Sequence, residues 1–493
     1  MLRGSALLPR GRHFALTWGI PDQYGGMTSA LLHRSRAFRR LGGVDVGILT
    51  LDDRPDYPEL EQRLLRAGEL VAGVRIRNLW DDLRQRPPRP KGQPVDAADP
   101  LEPHDDDTVV VHEGVVLVRE RRDAEGRTIA VDRFRRDGTL LATDRLVGKH
   151  HRIVVHGLDG SPLRAWASTW RLYRWWLDRV TGGRQSFLLV DSKTAARFVT
   201  GYRRAHVVTV HVVHGAHRDE TAPGELRSSR EYALRRAEDF DAIVVLTRRQ
   251  RDDLVADGVG GRLRVIPNGV AVPRSGRRGH APAQGVMLAS LTPRKRVADA
   301  VEAAVRAHAA EPRVVLDVYG DGEDADAVRR RIAHLGAEDV VRLRGHDPHA
   351  RESFQRAGFS LLTSSSEGLP LVLVESMGAG CIPIAYDIRY GPADMIRDGR
   401  DGFLVAEGDI DAMASRIVDL QRMPHARLEA MRRRARARAR EFSDAAITRR
   451  WARELHGLRA GRSMAAVADA PRAMRLRRRA GLVRARVLRF LGR

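Results

Sequence analysis

The segment Glu367-Gly-Leu-Pro-Leu-Val-Leu-Val-Glu375 places two carboxylates eight positions apart, after an apolar run (Phe359–Thr363) and three serines (Ser364–Ser366). Proline is tolerated at the start of a helix, where its missing N–H has no partner to lose. The spacing therefore predicts a helix beginning near Pro370, with Glu375 about one turn inside it and Glu367 in the loop above. A helix start offers unpaired N–H groups and the positive end of the helix dipole, both suited to phosphate oxygens. A nucleoside diphosphate fits such a place. Gly368, Leu369, Leu371 and Val372 would line it, one carboxylate taking ribose hydroxyls and the other a sugar. The competing reading of the pair is a surface acid followed by an acid that caps the helix.

A second candidate is His214-Gly-Ala-His217, which follows the apolar run Val207–Val213, at the C-terminal edge where α/β sites form. A neutral imidazole there can hydrogen-bond a sugar hydroxyl or buffer developing charge. A structural histidine and a metal ligand are the other readings, although His-x-x-His has no evident third ligand. His214 lies nearer the strand end and is the stronger of the two. Gly25-Gly26 sits at the first strand-to-helix turn, where absent side chains let the backbone approach a ligand, although such pairs also mark ordinary turns. The acids Asp52-Asp53 and Asp105–Asp107 read as solvated loops.

The elements that must position these residues alternate between apolar runs and helical patterns, which argues for an α/β fold with parallel sheets. Strands are expected at Phe14–Trp18, Val44–Leu51, Phe187–Asp191, Val207–His214 and Ala242–Leu246, with a helix over Thr28–Leu41. After a hinge at Val265–Asn268 and 273–284, a second series runs through Val286–Ser290, Val314–Tyr319, Val341–Arg344, Phe359–Thr363, Ile382–Tyr386 and Phe403–Val405. Residues 81–107 read as a linker, and three β-like runs between Thr108 and Leu146, two of them joined by the turn Asp137-Gly138, predict an antiparallel insertion. Trp166–Leu177 reads as an amphipathic helix whose aromatics are core or interface residues. The expected domains are 1–80 with 186–275, an insertion over 81–185, a second Rossmann-like unit over 276–440, a helix over 441–460 and a basic tail from 461 to 493.

The chain has 493 residues, enough for two or three domains, and 86 Lys and Arg against 63 Asp and Glu give a formal net charge of +23. Only Lys91, Lys149, Lys193 and Lys295 are lysines. An arginine-biased composition on solvated faces explains this balance, as does attraction to a polyanion or an anionic membrane. No zinc-finger spacing, helix-turn-helix or aromatic-interleaved basic sheet points to nucleic acid. No run reaches the roughly 18 apolar residues a membrane span needs, and no signal peptide is read at the start, so a cytoplasmic protein is expected. The single cysteine, Cys381, reads as a buried hydrophobe. Pro471–Arg493 carries nine arginines and no acid. It reads either as a basic amphipathic helix on anionic lipid, peripheral at the inner face of the plasma membrane, or as a solvated tail.

Beyond these readings, the chain resembles glycosyltransferase family 4, and within it the poly(glycerol-phosphate) α-glucosyltransferases and related wall-teichoic-acid enzymes. The acidic pair carries the resemblance together with Tyr386-Asp-Ile-Arg-Tyr-Gly-Pro-Ala-Asp-Met-Ile396, Asp398-Gly-Arg-Asp-Gly-Phe-Leu-Val405, Tyr319-Gly-Asp-Gly322, Val244-Val-Leu-Thr247, Ile266-Pro-Asn-Gly269, Gly25-Gly-Met-Thr-Ser29 and Phe134-Arg-Arg-Asp-Gly138. It covers about residues 14–455. It implies a GT-B fold, two Rossmann-like domains facing a cleft, with the β insertion in the first. It also implies metal-independent, retaining transfer of a hexose, without a cofactor, from UDP-glucose or UDP-N-acetylglucosamine to a polyol-phosphate polymer. A lipid, glycan or small-molecule acceptor is the alternative, and a non-catalytic scaffold a third reading. By the same resemblance Glu375 would bind ribose, Glu367 the transferred sugar, Lys295 the leaving phosphate, and a histidine of the 214–217 loop the donor sugar. The family usually carries arginine where this chain has Ser290, and Arg294 or Arg296 is the candidate replacement. The β insertion resembles one that supports self-association in relatives, so a homo-oligomer is also expected.

Overall fold

The computed structural model describes residues 6–90, 95–96, 99–148, 150–218, 225–272 and 279–462. The basic tail Pro471–Arg493 and residues 273–278 of the expected hinge lie outside the described residues, and the end of that hinge, from Ala281, is strand. Among those described, no helix is long and apolar enough to cross a membrane.

Three sheets organise the chain. A seven-stranded parallel sheet runs, edge to edge, through Leu263–Val265, Ala242–Val245, Val207–Val213, Ser186–Val190, Arg12–Leu16, Val46–Thr50 and Val74–Asn78. A six-stranded parallel sheet runs through Val341–Gly345, Val315–Tyr319, Ala281–Leu288, Ala357–Leu362, Ile382–Tyr386 and Phe403–Val405. Parallel strands are covered by helices on both faces and so read as continuous apolar runs; all seven residues of Val207–Val213 are buried. Two hydrophobic clusters flank the first sheet and one large cluster fills the second unit. This is the GT-B arrangement, and the third sheet is the antiparallel insertion: six strands in sequence order, from Thr108–His112 to Pro162–Trp166.

The insertion has three more strands than expected: the first expected run is two paired strands, Thr108–His112 and Val115–Arg122, and His150–His156 and Pro162–Trp166 follow the last. Trp166 therefore ends a strand, and the aromatic helix begins later, over Thr169–Thr181. Ser168 sets that boundary, because its side chain caps the helix at the N–H of Arg171. The expected linker likewise opens with a helix, Leu79–Gln85, capped by Asn78, whose side chain accepts from the N–H groups of Trp80 and Asp81. The edge strands Val74–Asn78 and Leu263–Val265 are not expected either; the first carries arginine at alternate positions and the second, three residues long, has one at its centre, which hides a short strand.

The expectation that Asp52-Asp53 and Asp105–Asp107 are solvated holds for Asp105 and Asp106, which are exposed, and is corrected at Asp52, Asp53 and Asp107 by their partners. Burial lifts the Asp52 carboxyl to about 6, although Tyr57 donates a hydrogen bond to it at 2.5 Å. Asp53 takes both arms of the Arg133 guanidinium, at 2.6 and 2.8 Å, and Asp107 takes both arms of Arg121, at 2.8 and 3.0 Å. Arg133 also stacks 3.8 Å from the Trp80 ring centroid, so one side chain fastens the insertion to the first sheet by charge and by dispersion.

The chain then returns. After the helix His425–Arg440, a helix over 444–462 packs Ile447, Trp451, Ala452, Leu455 and Leu458 into a cluster of the first sheet. Glu454 pairs with Arg264, and Asp444 accepts from His33 at 2.6 Å. The last helix thus ties the two parallel-sheet units together.

Arg133→Ala should lower unfolding free energy by about 2–3 kcal/mol, since it strips Asp53 of a paired cation and Trp80 of its stacking partner. Arg133→Lys should recover only part, because a lysine cannot supply the fork and the stack together. Urea denaturation followed by tryptophan fluorescence checks both; unchanged stability in Arg133→Ala would refute the fastening role.

Candidate active site

The helix that follows the first acid runs over Leu371–Ala379 with Pro370 at its N-cap. Its first turn carries no acid and its N-cap no side-chain hydrogen bond, so neither of these offsets its positive tip. Glu367 stays in the loop above. Lys295 donates to Glu367 at 2.5 Å, and Arg294 lies 3.4 Å from the same oxygen while donating to the carbonyl of Ser366 at 2.6 Å. Glu375 faces Arg351, whose Nε lies 2.9 Å away.

The strand end Ser186–Val190 delivers Asp191, whose side chain is fully buried. Burial alone would raise its carboxyl, but the Arg34 charge beside it and a hydrogen bond from His214 hold it at about 2. Arg34 binds it with both arms, at 2.9 and 2.6 Å, and the His214 Nε2 lies 2.7 Å from Oδ1. With Nε2 committed to the carboxylate, His214 has its Nδ1 buried and without a protein partner.

The two halves of the site meet at a glycine. A Cβ on Gly368 would lie 2.1 Å from the carbonyl oxygen of His214 and 3.1 Å from the Cα of Gly215, so only glycine lets the Glu367 loop pass the His214 loop this closely. The same economy shapes the floor: a Cβ on Gly320 would fall 1.7 Å from the Ala289 carbonyl oxygen. The segment Tyr386–Met395 seals the seam from the other side. Asp394 accepts from the backbone N–H of Arg248 at 2.9 Å, at the start of the helix Arg248–Ala256. Tyr390 donates to Asp253 at 2.7 Å and stacks on His217, Asp387 pairs with Arg249, and the N–H of Tyr390 donates to the Glu367 carbonyl.

Between the two units lies a cavity of about 1700 Å³. Of the residues expected at a site, Gly26, His214, Ser290, Arg294, Lys295, Glu367, Gly368, Leu369, Leu371, Val372 and Glu375 line it together. Gly25 and His217 are not among the lining residues. Gly25 is the N-cap of the helix Gly26–Arg40, with open space where a Cβ would stand. His217 is fully buried, paired with Asp257 at 3.1 Å and stacked on Tyr390; burial chiefly pulls its pKa down. Its surroundings are those of a seam residue, and among the described residues no group of three His, Cys, Asp or Glu could hold a metal ion. Of the two arginines considered for the charge missing at Ser290, Arg294 lines the cavity, whereas Arg296 pairs with Asp299 and Glu407 under Tyr386. Sequence reasoning gave no site role to Asp191, Arg34 or Arg230: Asp191 and Arg34 meet from 157 positions apart, and Arg230 is one arginine among many.

Known proteins resemble this chain in sequence and in fold. The family model of glycosyl transferases group 1 matches residues 275–442, and that of glycosyltransferase family 4 matches residues 115–274. The chain is 35% identical to an exopolysaccharide phosphotransferase of Streptomyces coelicolor over 47% of its own length and 24% of the relative's. It is 30% identical to the GtfA subunit of the UDP-N-acetylglucosamine–peptide N-acetylglucosaminyltransferase of Streptococcus gordonii, over half of each. With the poly(ribitol-phosphate) α-N-acetylglucosaminyltransferase of Staphylococcus aureus it shares 26% identity over 45% of each. The chain thus spans half or less of the length of these relatives. In fold it is similar to a mutant S. aureus TarM solved with fondaparinux, α-GlcNAc-glycerol and UDP: TM-score 0.72, 17% identity, 90% of this chain and 100% of that one.

Because the Asp191 carboxyl lies below its ordinary value of 3.8, its contribution to stability is complete above about pH 4 and is lost as pH falls toward 2. Between pH 5 and 2 the wild type should lose about 2 kcal/mol more unfolding free energy than Asp191→Asn. Parallel pH profiles of the two proteins in denaturant titrations would contradict the assignment.

Proposed function

Because the chain belongs to glycosyltransferase family 4, we propose that it is a retaining, metal-independent transferase that moves a hexose from a UDP-sugar to a polyol-phosphate polymer. The observation that carries this reading is the convergence of Lys295, Glu367, Glu375 and an uncapped helix tip on one cavity. The tip and Lys295 take the diphosphate, and Glu375 holds ribose hydroxyls. As the diphosphate arrives it competes with Glu367 for Lys295, which releases that carboxylate to the hydroxyls of the sugar. His214, fixed by Asp191, turns its unpartnered Nδ1 toward the same sugar. In the reaction the bond from the anomeric carbon to the diphosphate breaks, and a bond to the acceptor oxygen forms on the same face. The acceptor proton passes to the leaving phosphate oxygen. The chief demand is then stabilisation of charge on the departing diphosphate, which preorganised donors meet without a strong base.

The acceptor class is supported by the charge of +23 and by relatives named for poly(ribitol-phosphate) and poly(glycerol-phosphate). The likeness to relatives named for peptide N-acetylglucosaminyl transfer favours a second reading, the same chemistry on a protein hydroxyl. A membrane-facing role of the basic tail, a homo-oligomer built through the insertion and a cytoplasmic location complete the proposal.

Lys295→Ala should lower turnover by about 2–4 kcal/mol of barrier, some 30- to 1,000-fold, with a smaller change in donor affinity. Glu375→Ala should act the other way, raising the Kd for UDP more than it lowers turnover. Transfer of radiolabelled hexose to glycerol- and ribitol-phosphate polymers, beside a serine-rich peptide, reads both effects and the acceptor. Wild-type kinetics in both variants would defeat the site assignment; labelling of the peptide alone would replace the polymer reading.

A further inference from the structure

Six lysines and arginines line the cavity, and four of them have carboxylate partners. Arg36 pairs with Glu69, Arg294 and Lys295 share Glu367, and Arg351 pairs with Glu375. Among the described residues of the lining, Lys193 and Arg230 are the cations with no acid beside them. Both belong to the wall built on the seven-stranded sheet, Lys193 opening the helix Lys193–Val199 and Arg230 in the helix Ser228–Leu234 that packs against it.

Arg230 is the more telling of the two. Burial, with the like charge of Arg227 nearby, pulls its guanidinium down to about 10, so it is still a cation at neutral pH. A sheltered cation without a counter-charge is costly and is ordinarily completed by an anion. Its guanidinium lies close to Gly215, where a Cβ would stand 3.1 Å from its Nη2. Gly215 adjoins His214, whose carbonyl oxygen meets Gly368 beside Glu367. The guanidinium therefore borders the sugar end of the cavity, on the wall opposite Lys295 and the helix tip.

We propose that Arg230 and Lys193 form an anion subsite that holds a phosphodiester of the acceptor, separate from the diphosphate site at Lys295. The proposal rests on the polyol-phosphate reading above and adds the residues that would recognise it. Arginine suits this role because its planar fork engages two phosphate oxygens at once, and Lys193, exposed at the cavity rim, adds a movable second charge. A phosphate held there would present the neighbouring polyol hydroxyl to the anomeric carbon. A neutral acceptor would gain nothing from the pair.

The test saturates the full-length protein with UDP, so that the diphosphate site is filled, and then titrates in a short glycerol-phosphate oligomer by calorimetry. Arg230→Gln with Lys193→Gln should weaken the oligomer at least tenfold while the Kd for UDP alone changes less than twofold. In transfer assays the same double variant should raise the KM for the oligomer by a similar factor. Arg230→Lys should restore part of the affinity, which a merely structural role would not allow. Unchanged oligomer affinity, loss of UDP affinity in its place, or no oligomer binding by the wild type would each overturn the subsite. Oligomer binding that follows this pattern without any transfer would instead keep the subsite and defeat the proposed function.

Discussion

The site depends on how closely two loops can pass. Gly368 carries the Glu367 loop beneath the carbonyl of His214, where a methyl group would stand 2.1 Å from oxygen. That contact makes one cavity of two half-sites, because it sets Glu367 and Lys295 from one sheet against His214 and Asp191 from the other. The surrounding seam serves the same contact. Asp394 caps the start of the helix Arg248–Ala256, Tyr390 spans from the Glu367 carbonyl to Asp253, and Gln250 donates to the carbonyl of Gly215. The segment that most narrowly resembles the teichoic-acid enzymes, Tyr386–Ile396, thus works mainly as a clasp between the two units.

Electrostatics divides the cavity into filled and unfilled charge. Asp191 is fully compensated by Arg34 and His214, which fixes the ring without leaving a mobile charge at the reaction centre. Glu367 and Glu375 are provisionally satisfied by Lys295, Arg294 and Arg351, partners that a phosphate and hydroxyls can displace. Among the described residues, none compensates the helix tip, Lys193 or Arg230. A cavity with charge so distributed suits anions at both ends, in keeping with the proposed diphosphate donor and phosphate-bearing acceptor.

Much of this was legible because it is local. Parallel strands buried on both faces announce themselves as apolar runs, and Glu367, Pro370 and Glu375 encode a loop, a helix start and one turn within nine residues. What escaped is carried by distant partners. His217 looked like a site residue until Asp257 and Tyr390 claimed it, and Asp53 looked solvated until Arg133 reached it from the insertion. Arg230 could not be singled out in so arginine-rich a chain; only the absence of an acid beside it gives it meaning. Arginines interrupt the apolar runs of the strands Val74–Asn78 and Leu263–Val265, and Trp166 reads as helix because aromatics at near-helical spacing continue directly beyond it.

The approach of the two loops at Gly368 assembles the site, and Gly368→Ala puts that approach to the test. The added methyl has to push the Glu367 loop off the His214 carbonyl. With cooperative unfolding and the far-UV spectrum retained, hexose transfer from the UDP-sugar should fall at least 100-fold. Wild-type transfer rates in a folded Gly368→Ala protein would show that the loops need not meet, and the account would fail.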